Sequence, residues 1–469
     1  MKWRVVVAIA ASVTALAGGA VVFFCFWGFS AYYSPAAPPT HYAPPRDLAQ
    51  AQRDDLDYLR KFLYRDWSYT PRTRARAGAV IDAALAGPLP LSRGKFELNV
   101  ARVVAIADNG HTNVSVQSRS NRLNRVPVRF YLFTDGLYVV RALPQAETAL
   151  GKKVIAFDGN SFAQVRRVMN RYVGGTAEER DARLPFALEA PQLLHAAGMA
   201  NRDDAVTLTV ESANGEQSDV PLRALPPDPK GADVWPWNEM QPAQVPGTSK
   251  AWRAALHGAS SKMLLFADPA RAFVMLPLPR QHAWYLRYNQ NYSTATQSIG
   301  EFSKRAEAAL LVAKPAIVII DMRFNGGGDY TTTASFMRNL PLELPRTKFY
   351  VLEGSDTFSA GMTAIAFLKQ AGGARTILVG SRPGDRIRFH SEGSDFCLPY
   401  SKICMVARTA IHDYSTTHCR PLSECFVLDW LYPVAIKSFE PDLPAPLTWK
   451  ALSADHDPAL EAIFPGQRF

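Results

Sequence analysis

Two short stretches of the sequence contain residue types suited to acyl-transfer chemistry. DMRFNGGGD, at 321–329, follows the apolar run AIVII and includes three consecutive glycines. Such a run can bend sharply and turn backbone N–H groups toward a developing negative charge. DTFSAGM, at 356–362, follows the run TKFYVLEG and places Ser359 at the predicted start of a helix. A serine at a strand-to-helix junction is positioned to act as a nucleophile, although serine is also a common helix N-cap.

Alternating strands and helices must position these two stretches. Residues 303–313 have helical periodicity, 316–321 read as a buried strand, 347–354 as a second strand, 360–373 as a helix closed by glycines and 374–380 as a third strand. Strands that alternate with helices predict βαβ units and a largely parallel sheet. The glycine run and Ser359 both follow strand ends, where ligands and catalytic groups collect in an open α/β fold.

Taken together, these stretches resemble a known family. IIDMRFNGGGD, TFSAGM, TILVGSRPG and the final SFEPDLPAPLTWKALSADHDPALEAI are similar to the C-terminal processing, or tail-specific, serine peptidases and their relative, the tricorn protease core. The resemblance begins near residue 47 and is best between 316 and 460. It implies an α/β fold in which a ClpP/crotonase-like catalytic core with a parallel sheet is joined to a helical N-terminal segment and a PDZ-like β-rich domain.

The resemblance also implies roles for individual residues. Ser359 matches the nucleophile, and the N–H groups of Ala360 and of Gly327 or Gly328 match the oxyanion hole. The residues expected to hold the glycine loop, in a structural rather than a chemical role, are Asp321, Arg323 and Asn325.

The general base departs from the tail-specific pattern. That branch of the family uses a lysine some two dozen residues after the serine, but this chain has no lysine between Lys369 and Lys402. The arginines in the interval stay protonated and cannot serve as bases. Lys369 lies ten residues past Ser359 on the following helix and should point away. ADNGHT, at 107–112, resembles the histidine motif of the tricorn-like branch, which makes His111 the candidate base.

A third residue should orient the imidazole of His111. The family's acidic residue would fall within HDYSTTHCRPLSECFVLDW, where Asp413, Glu424 and Asp429 are equally good candidates. The predicted function is a serine peptidase that acts on a peptide or protein through an acyl-enzyme and requires no metal or organic cofactor. The alternative is a catalytically inactive protein on the same fold that binds a peptide or small ligand. Hydrolysis of a non-peptide ester is a further option.

The N-terminus predicts a location. Lys2 and Arg4 precede a stretch without charge at 5–33, which is long enough to span a bilayer and ends with Trp27, Tyr32 and Tyr33 as an aromatic belt. Residues 1–33 therefore read as a signal-anchor, and the Pro-rich residues 34–46 as a tether. The expected location is the bacterial inner membrane, with a single pass and the catalytic domain in the periplasm or otherwise outside the cytoplasm.

Composition and cysteine spacing agree with a globular protein outside the cytoplasm. The 469 residues are 48% hydrophobic and 20% charged, which excludes a disordered or collagen-like chain. The net charge of +10 comes from scattered arginines, so no nucleic-acid partner is expected. Four cysteines have a spacing that favours two disulfides over zinc, with three possible connectivities: Cys397, Cys404, Cys419 and Cys425.

The remaining chain divides into four predicted regions. Residues 47–125 form a helical segment that ends in the His111 motif, although 96–116 read as strands interrupted by a turn at 108–110. Residues 126–225 form the PDZ-like domain, 226–250 a linker or surface loop, and 251–469 the peptidase core. The oligomeric state is left open.

Overall fold

A computed structural model describes residue 29 and residues 31–114, 119–228, 236–244, 250–257 and 263–467. It has a mixed α/β fold, as predicted, with an N-terminal group of helices and two large sheets. Each of these three parts has a buried apolar cluster of its own.

Three helices open the fold: α1 (Leu48–Arg65), α2 (Pro71–Ala86) and α3 (Arg93–Ala105). Each begins at an N-cap whose side chain accepts a backbone N–H three residues later. Helix α3 corrects the part of the strand prediction for 96–116 that covers residues 96–105. Phe96, Val100 and Val104 recur at helical spacing and are buried together, and Ser92 caps the helix, so the β-branched residues here pack on a helix face.

The first large sheet has seven strands. They are β1 (Val128–Phe133), β2 (Gly136–Ala142), β3 (Lys153–Phe157), β4 (Asn160–Ser161), β5 (Ala205–Glu211), β6 (Gln217–Arg223) and β7 (Arg253–Ala254). Antiparallel pairing gives the order β1-β2-β3-β5-β6, with β4 beside β3 and β7 beside β2. The helices of this region are α4 (Arg119–Arg122), α5 (Phe162–Met169), α6 (Ala177–Leu188) and α7 (Pro191–Ala196).

The second large sheet positions the candidate nucleophile. Its strands are β8 (Phe273–Leu278), β9 (Ala283–Tyr288), β10 (Ile317–Asp321), β11 (Lys348–Glu353), β12 (Thr376–Gly380) and β17 (Leu443–Pro444), in the order β17-β12-β11-β10-β9-β8. All neighbours are parallel except β8 and β9, which confirms the predicted parallel sheet. Helices α9 (Ile299–Ala313), α10 (Thr331–Glu343) and α11 (Ala360–Gly372) connect these strands.

The C-terminal part adds two short antiparallel pairs. Strand β13 (Arg388–Ser391) pairs with β16 (Ala410–Asp413), and β14 (Ser394–Cys397) pairs with β15 (Cys404–Ala407). The β14–β15 hairpin packs on the N-terminal helices, where the Phe396 ring lies 4.7 Å from that of Tyr58. The short helices that complete the described chain are α12 (Leu428–Leu431), α13 (Trp449–Leu452) and α14 (Pro458–Ile463).

The predicted disulfides are confirmed. Cys397 is bonded to Cys404 and Cys419 to Cys425, so the connectivity is sequential. The first bond closes the β14–β15 hairpin, and the second closes the loop after β16.

The predicted inner-membrane location is corrected. Residues 1–28 and 30 of the signal-anchor lie outside the described residues, and within the described part of the chain no helix has the length and apolarity needed to cross a membrane. Tyr33, predicted to sit at a membrane interface, is instead 7% exposed within the protein. Its hydroxyl donates to the carbonyl of Cys425 at 2.9 Å, and its ring packs edge-on against Phe426 at 5.0 Å.

The predicted tether and linker both contact the fold. The carbonyl of Pro38 accepts from the hydroxyl of Tyr58 at 2.5 Å, and that of Ala43 accepts from the hydroxyl of Tyr400 at 2.9 Å. The Pro-rich stretch therefore lies along the protein surface. In the linker, helix α8 (Pro236–Met240) buries Trp237 among apolar side chains, while 229–235 and 245–249 lie outside the described residues.

Candidate active site

Ser359 occupies a strained turn between β11 and α11. Its backbone has φ 52° and ψ −126°, a left-handed conformation that non-glycine residues adopt at a cost of about 1–3 kcal/mol. Its side chain forms no capping bond to the helix. This observation argues against the N-cap role for Ser359 and leaves its hydroxyl free for chemistry at the helix N-terminus, where backbone N–H groups favour negative charge.

Asn325 fixes the glycine loop beside this turn. Its side-chain amide donates to the carbonyl of Tyr288 at 3.0 Å, and its Oδ1 accepts from the N–H of Gly327 at 3.0 Å. The carbonyl of Asn325 accepts from the N–H of Phe358 at 2.9 Å. One residue therefore ties the glycine loop to β9 and to the turn that contains Ser359.

A buried charge cluster holds the base of the same loop. The guanidinium of Arg323 donates to Asp321 at 2.6–3.2 Å and to Asp457 at 2.8–2.9 Å. Asp321 also accepts from the hydroxyl of Tyr285 at 2.8 Å. All four side chains are buried, so the cluster lies away from solvent and anchors the end of β10.

The hydrogen bonds of the backbone N–H groups near Ser359 distinguish Gly327 from Gly328 as the candidate oxyanion donor. The N–H of Gly327 is already bonded to Asn325. Within the described residues, no hydrogen bond engages the N–H of Gly328 or of Ala360. These two donors are the ones available to a developing oxyanion, because a donor bound elsewhere cannot stabilise it.

Replacing Gly327 by alanine tests this geometry. A Cβ there would lie 2.7 Å from Cβ of Ser359, and φ of 104° also disfavours a side chain. Shifting the loop should lower kcat by about a hundredfold or more, because small misplacements of reacting groups are costly. Steady-state kinetics of Gly327→Ala against Gly326→Ala checks it, since a Cβ at Gly326 meets nothing within 4 Å. Equal activity in the two variants would contradict this reading of the loop.

His111 is held by an acid that the sequence did not single out. Its Nδ1 lies 2.9 Å from Oδ2 of Asp385, and both side chains are buried. Oδ1 of Asp385 accepts from the N–H of Arg386 at 2.8 Å. Nε2 of His111 is buried and has no hydrogen-bond partner in the described part of the chain. The pair therefore resembles the base and orienting acid of a serine hydrolase, with the second ring nitrogen left to accept a proton.

Rings and cations around His111 favour its neutral form. The imidazole is stacked between Phe358, at 4.3 Å, and Phe389, at 4.8 Å. Burial lowers the pKa of His111 well below its usual value of 6.5, and the positive charges of Arg408 and His412 lower this pKa further. A neutral imidazole is the form that a general base requires.

Two residues, Arg408 and Asp66, hold the His111 loop through three hydrogen bonds. The guanidinium of Arg408 donates to the carbonyl of His111 at 2.7 Å. Asp66 accepts from the hydroxyl of Thr112 at 2.8 Å and from the N–H of Arg408 at 3.1 Å. His111 is thus held by Asp66, which follows the C-terminal end of α1, and by Arg408, which follows β15.

The three acids proposed from sequence lie elsewhere. Asp413 pairs with Arg388 at 2.8 Å, and Asp429 pairs with His412 at 3.1 Å. Glu424 takes part in backbone hydrogen bonds with Ile411 and Pro421. Lys369 donates to Asp442 and to the carbonyl of Thr376, so its amine is engaged away from Ser359.

Asp385 lies in GDRIRF, the stretch in which the tail-specific branch would carry its lysine. The sequence therefore contained a signal that pointed to Asp385: an acid lies in the stretch where the tail-specific branch has its lysine base. Sequence reasoning also missed a group from α6 and the turn before Ser359. Arg183 donates to Glu179 at 2.7 Å and lies over the ring of Phe358, while Asp356 accepts from the hydroxyl of Tyr131 at 2.6 Å.

Ser359 and His111 line the same cleft, which has a volume of about 730 Å³. Its walls include residues of α6, of α8, of the glycine loop with α11, and of the C-terminal strands. Residues on these walls include Arg183, Phe186, Trp237, Gly328, Tyr330, Phe389 and His412. The cleft is large enough for several peptide residues and combines apolar and charged surface.

The fold is similar to that of solved structures of CPAF, which is one of the S41 tail-specific peptidases. The structure of mature CPAF complexed with lactacystin aligns with a TM-score of 0.52 and 12% identity, over 87% of this chain and 96% of that one. A CPAF mutant in which a serine is replaced by alanine aligns with a TM-score of 0.52 and 14% identity, over 90% and 99%. The predicted resemblance is confirmed as a likeness of fold.

A third structure, the photosystem II D1 C-terminal processing protease, aligns with a TM-score of 0.37 and 12% identity, over 87% of this chain and 99% of that one. No protein-family model matches the sequence, and a search of curated proteins finds no match either.

Proposed function

We propose that the protein is a serine peptidase that cleaves peptide bonds through an acyl-enzyme at Ser359, with His111 as general base. The observation that carries this proposal is that one cleft contains both Ser359, on its strained turn, and the buried pair of His111 and Asp385. The fold shared with CPAF supports a peptidase rather than another hydrolase.

The reaction follows from the positions of these groups. The hydroxyl oxygen of Ser359 attacks the carbonyl carbon of the scissile bond and gives its proton to Nε2 of His111. The N–H groups of Gly328 and Ala360 stabilise the resulting oxyanion. When the C–N bond breaks, the imidazolium returns the proton to the leaving amine, and a water molecule then hydrolyses the acyl-enzyme by the same steps in reverse. Throughout, Asp385 keeps the Nδ1–H tautomer of His111 and stabilises its positive charge.

The peptide-binding part of this proposal is a PDZ-like domain at 126–225, next to a ClpP/crotonase-like core at 251–469. The antiparallel sheet with α5 and α6 supports the first assignment, and the parallel sheet that leads to Ser359 supports the second. The hydroxyl of Thr176 donates to the carbonyl of Gly384 at 2.8 Å, next to Asp385. A peptide bound in this domain would therefore meet the catalytic cleft without a long linker.

The two disulfides support folding in an oxidising compartment. A protease in such a compartment would act on exported or extracellular proteins. The proposal requires a peptide or protein substrate.

A fluorophosphonate probe tests the proposal. The full chain should be labelled, should release peptides from an unfolded protein, as measured by mass spectrometry, and should lose labelling in His111→Ala. Lactacystin, which is bound in the CPAF structure, should compete with the probe. If the folded protein is neither labelled nor hydrolytic, the peptidase proposal fails and the inactive ligand-binding alternative replaces it.

A further inference from the structure

A second buried histidine lies in the cleft and has no part in the mechanism above. The side chain of His412, on β16, is 3% exposed. Its Nδ1 lies 3.1 Å from Oδ2 of Asp429, and its Nε2 lies 3.2 Å from Oε1 of Glu392. The imidazole is therefore bonded at both nitrogens and is not free to act on a substrate.

Two series of hydrogen bonds, here called arms, lead away from this histidine, and the first reaches the glycine loop. Oδ1 of Asp429 accepts from the hydroxyl of Tyr330 at 2.8 Å. Tyr330 is only two residues past Gly328, whose N–H is one of the two free donors beside Ser359. Between them, the N–H of Asp329 donates to the carbonyl of Asn291 at 3.0 Å, which ties this segment to the chain just after β9.

The other arm leads to the helix that begins after Ser359. The hydroxyl of Tyr414 lies 3.4 Å from Nδ1 of His412 and 2.6 Å from Oγ1 of Thr363. Thr363 is in the first turn of α11, three residues past Ala360, which carries the second free donor. The N–H of Thr363 donates to the carbonyl of Ser359 at 3.2 Å, so this arm ends on the nucleophile turn.

We infer that His412 and Asp429 form a positioning centre that fixes the separation of the two oxyanion donors, Gly328 and Ala360. This inference rests on the proposed peptidase function, because it concerns the same oxyanion. The donors belong to two segments that follow different strands, β10 and β11. A hydrogen-bonded centre that contacts both segments can hold each of the two donors at the roughly 2.7–3.1 Å from the oxyanion that stabilisation requires.

The chemistry of the centre favours positioning over stabilisation. A buried ion pair is a weak source of folding stability, because removing charges from water costs about as much as their attraction returns. Apolar residues already surround the pair, including Phe389 at 5.3 Å and Phe426 at 5.2 Å from the His412 ring. A fully apolar core could fill this space, whereas only directed hydrogen bonds can hold Tyr330 and Thr363 in register.

Removal of single hydroxyls tests the inference. Tyr330→Phe and Tyr414→Phe each cut one arm and keep the ring. Each should lower kcat about tenfold and leave KM within about twofold, since the donors act on the transition state. Tyr69→Phe is the matched control, because the Tyr69 hydroxyl is also buried and donates to the carbonyl of Val103 at 2.9 Å, in the N-terminal helices. Thr363→Ser should keep kcat, and Thr363→Val should lower it.

Amide hydrogen exchange tests the same centre without a need for activity. In His412→Gln, the amides of Asp329 and Thr363 should exchange about tenfold faster than in the wild type, while that of Val103 should not change. Unaltered exchange in the two segments would overturn the inference. So would losses of kcat no larger than that of Tyr69→Phe. A wild type without activity or labelling would instead refute the proposed function, and exchange would still decide whether the centre holds both segments.

Discussion

The Ser359→Ala variant is expected to lose all labelling by a fluorophosphonate and to show a kcat about a millionfold below that of the wild type. The loss follows from the chemistry: without the hydroxyl no acyl-enzyme forms, and the remaining donors and binding contacts supply only a small residual rate. Active-site labelling followed by mass spectrometry, together with peptide hydrolysis, checks this result. Labelling of another residue in Ser359→Ala would show that the nucleophile lies elsewhere.

A stability comparison at the same position tests the strain at Ser359. Alanine keeps the unfavourable backbone conformation at φ 52°, whereas glycine adopts it freely. Ser359→Gly should therefore be more stable than Ser359→Ala by about 1 kcal/mol or more in denaturant unfolding. Equal stabilities would mean that the turn stores no strain. Since both variants lack the hydroxyl, both should be inactive, which separates the chemical role of Ser359 from its backbone role.

The second large effect is expected at Asp385. In Asp385→Asn, kcat should fall about ten-thousandfold, because an asparagine favours the wrong tautomer of the base and cannot stabilise its positive charge. Asp413→Asn is the control, since Asp413 is also a buried acid but pairs with Arg388 rather than with His111. If kcat falls as far in Asp413→Asn as in Asp385→Asn, Asp385 has no special role in catalysis. A fully active Asp385→Asn would lead to the same conclusion.

The pH profile gives the same assignment an independent test. Burial raises the pKa of Asp385 to about 7, although the N–H and the charge of Arg386 oppose this effect. The ionised carboxylate is the active form, so kcat/KM should rise as the pH increases through about 7 and should fall below it. The apparent value belongs to the His111–Asp385 pair as a unit.

The rise should disappear from this range in Asp385→Asn, because protonation of His111 occurs only well below pH 6.5. Glu179 must be controlled for, since burial also raises its pKa to about 7. Glu179→Gln should keep the rise in kcat/KM near pH 7. If the rise is instead lost in Glu179→Gln and kept in Asp385→Asn, the group that titrates near pH 7 is Glu179, and the assignment to Asp385 is wrong.

Sequence periodicity was a good guide to the parallel sheet and a poor one to the N-terminal region. Strands β10, β11 and β12 are short apolar runs with helices between them, and local patterns of this kind specify βαβ units. Residues 96–105 were predicted as strand, yet a Ser92 cap and the burial of most of the segment accompany a helix there. Tyr33 likewise looked membrane-facing by composition, but its partners Cys425 and Phe426 lie almost four hundred residues along the chain.

By itself, the sequence determined that Ser359 and the glycine loop follow neighbouring strand ends, because strand and turn preferences act over a few residues. Only the tertiary structure decided which acid meets His111, which of the two glycines has a free N–H, and that His412 connects the two donor segments. His111 and Asp385 are 274 residues apart, and their 2.9 Å contact depends on how separate layers pack. Packing of that kind leaves no periodic trace in the chain, so it had to be seen in three dimensions.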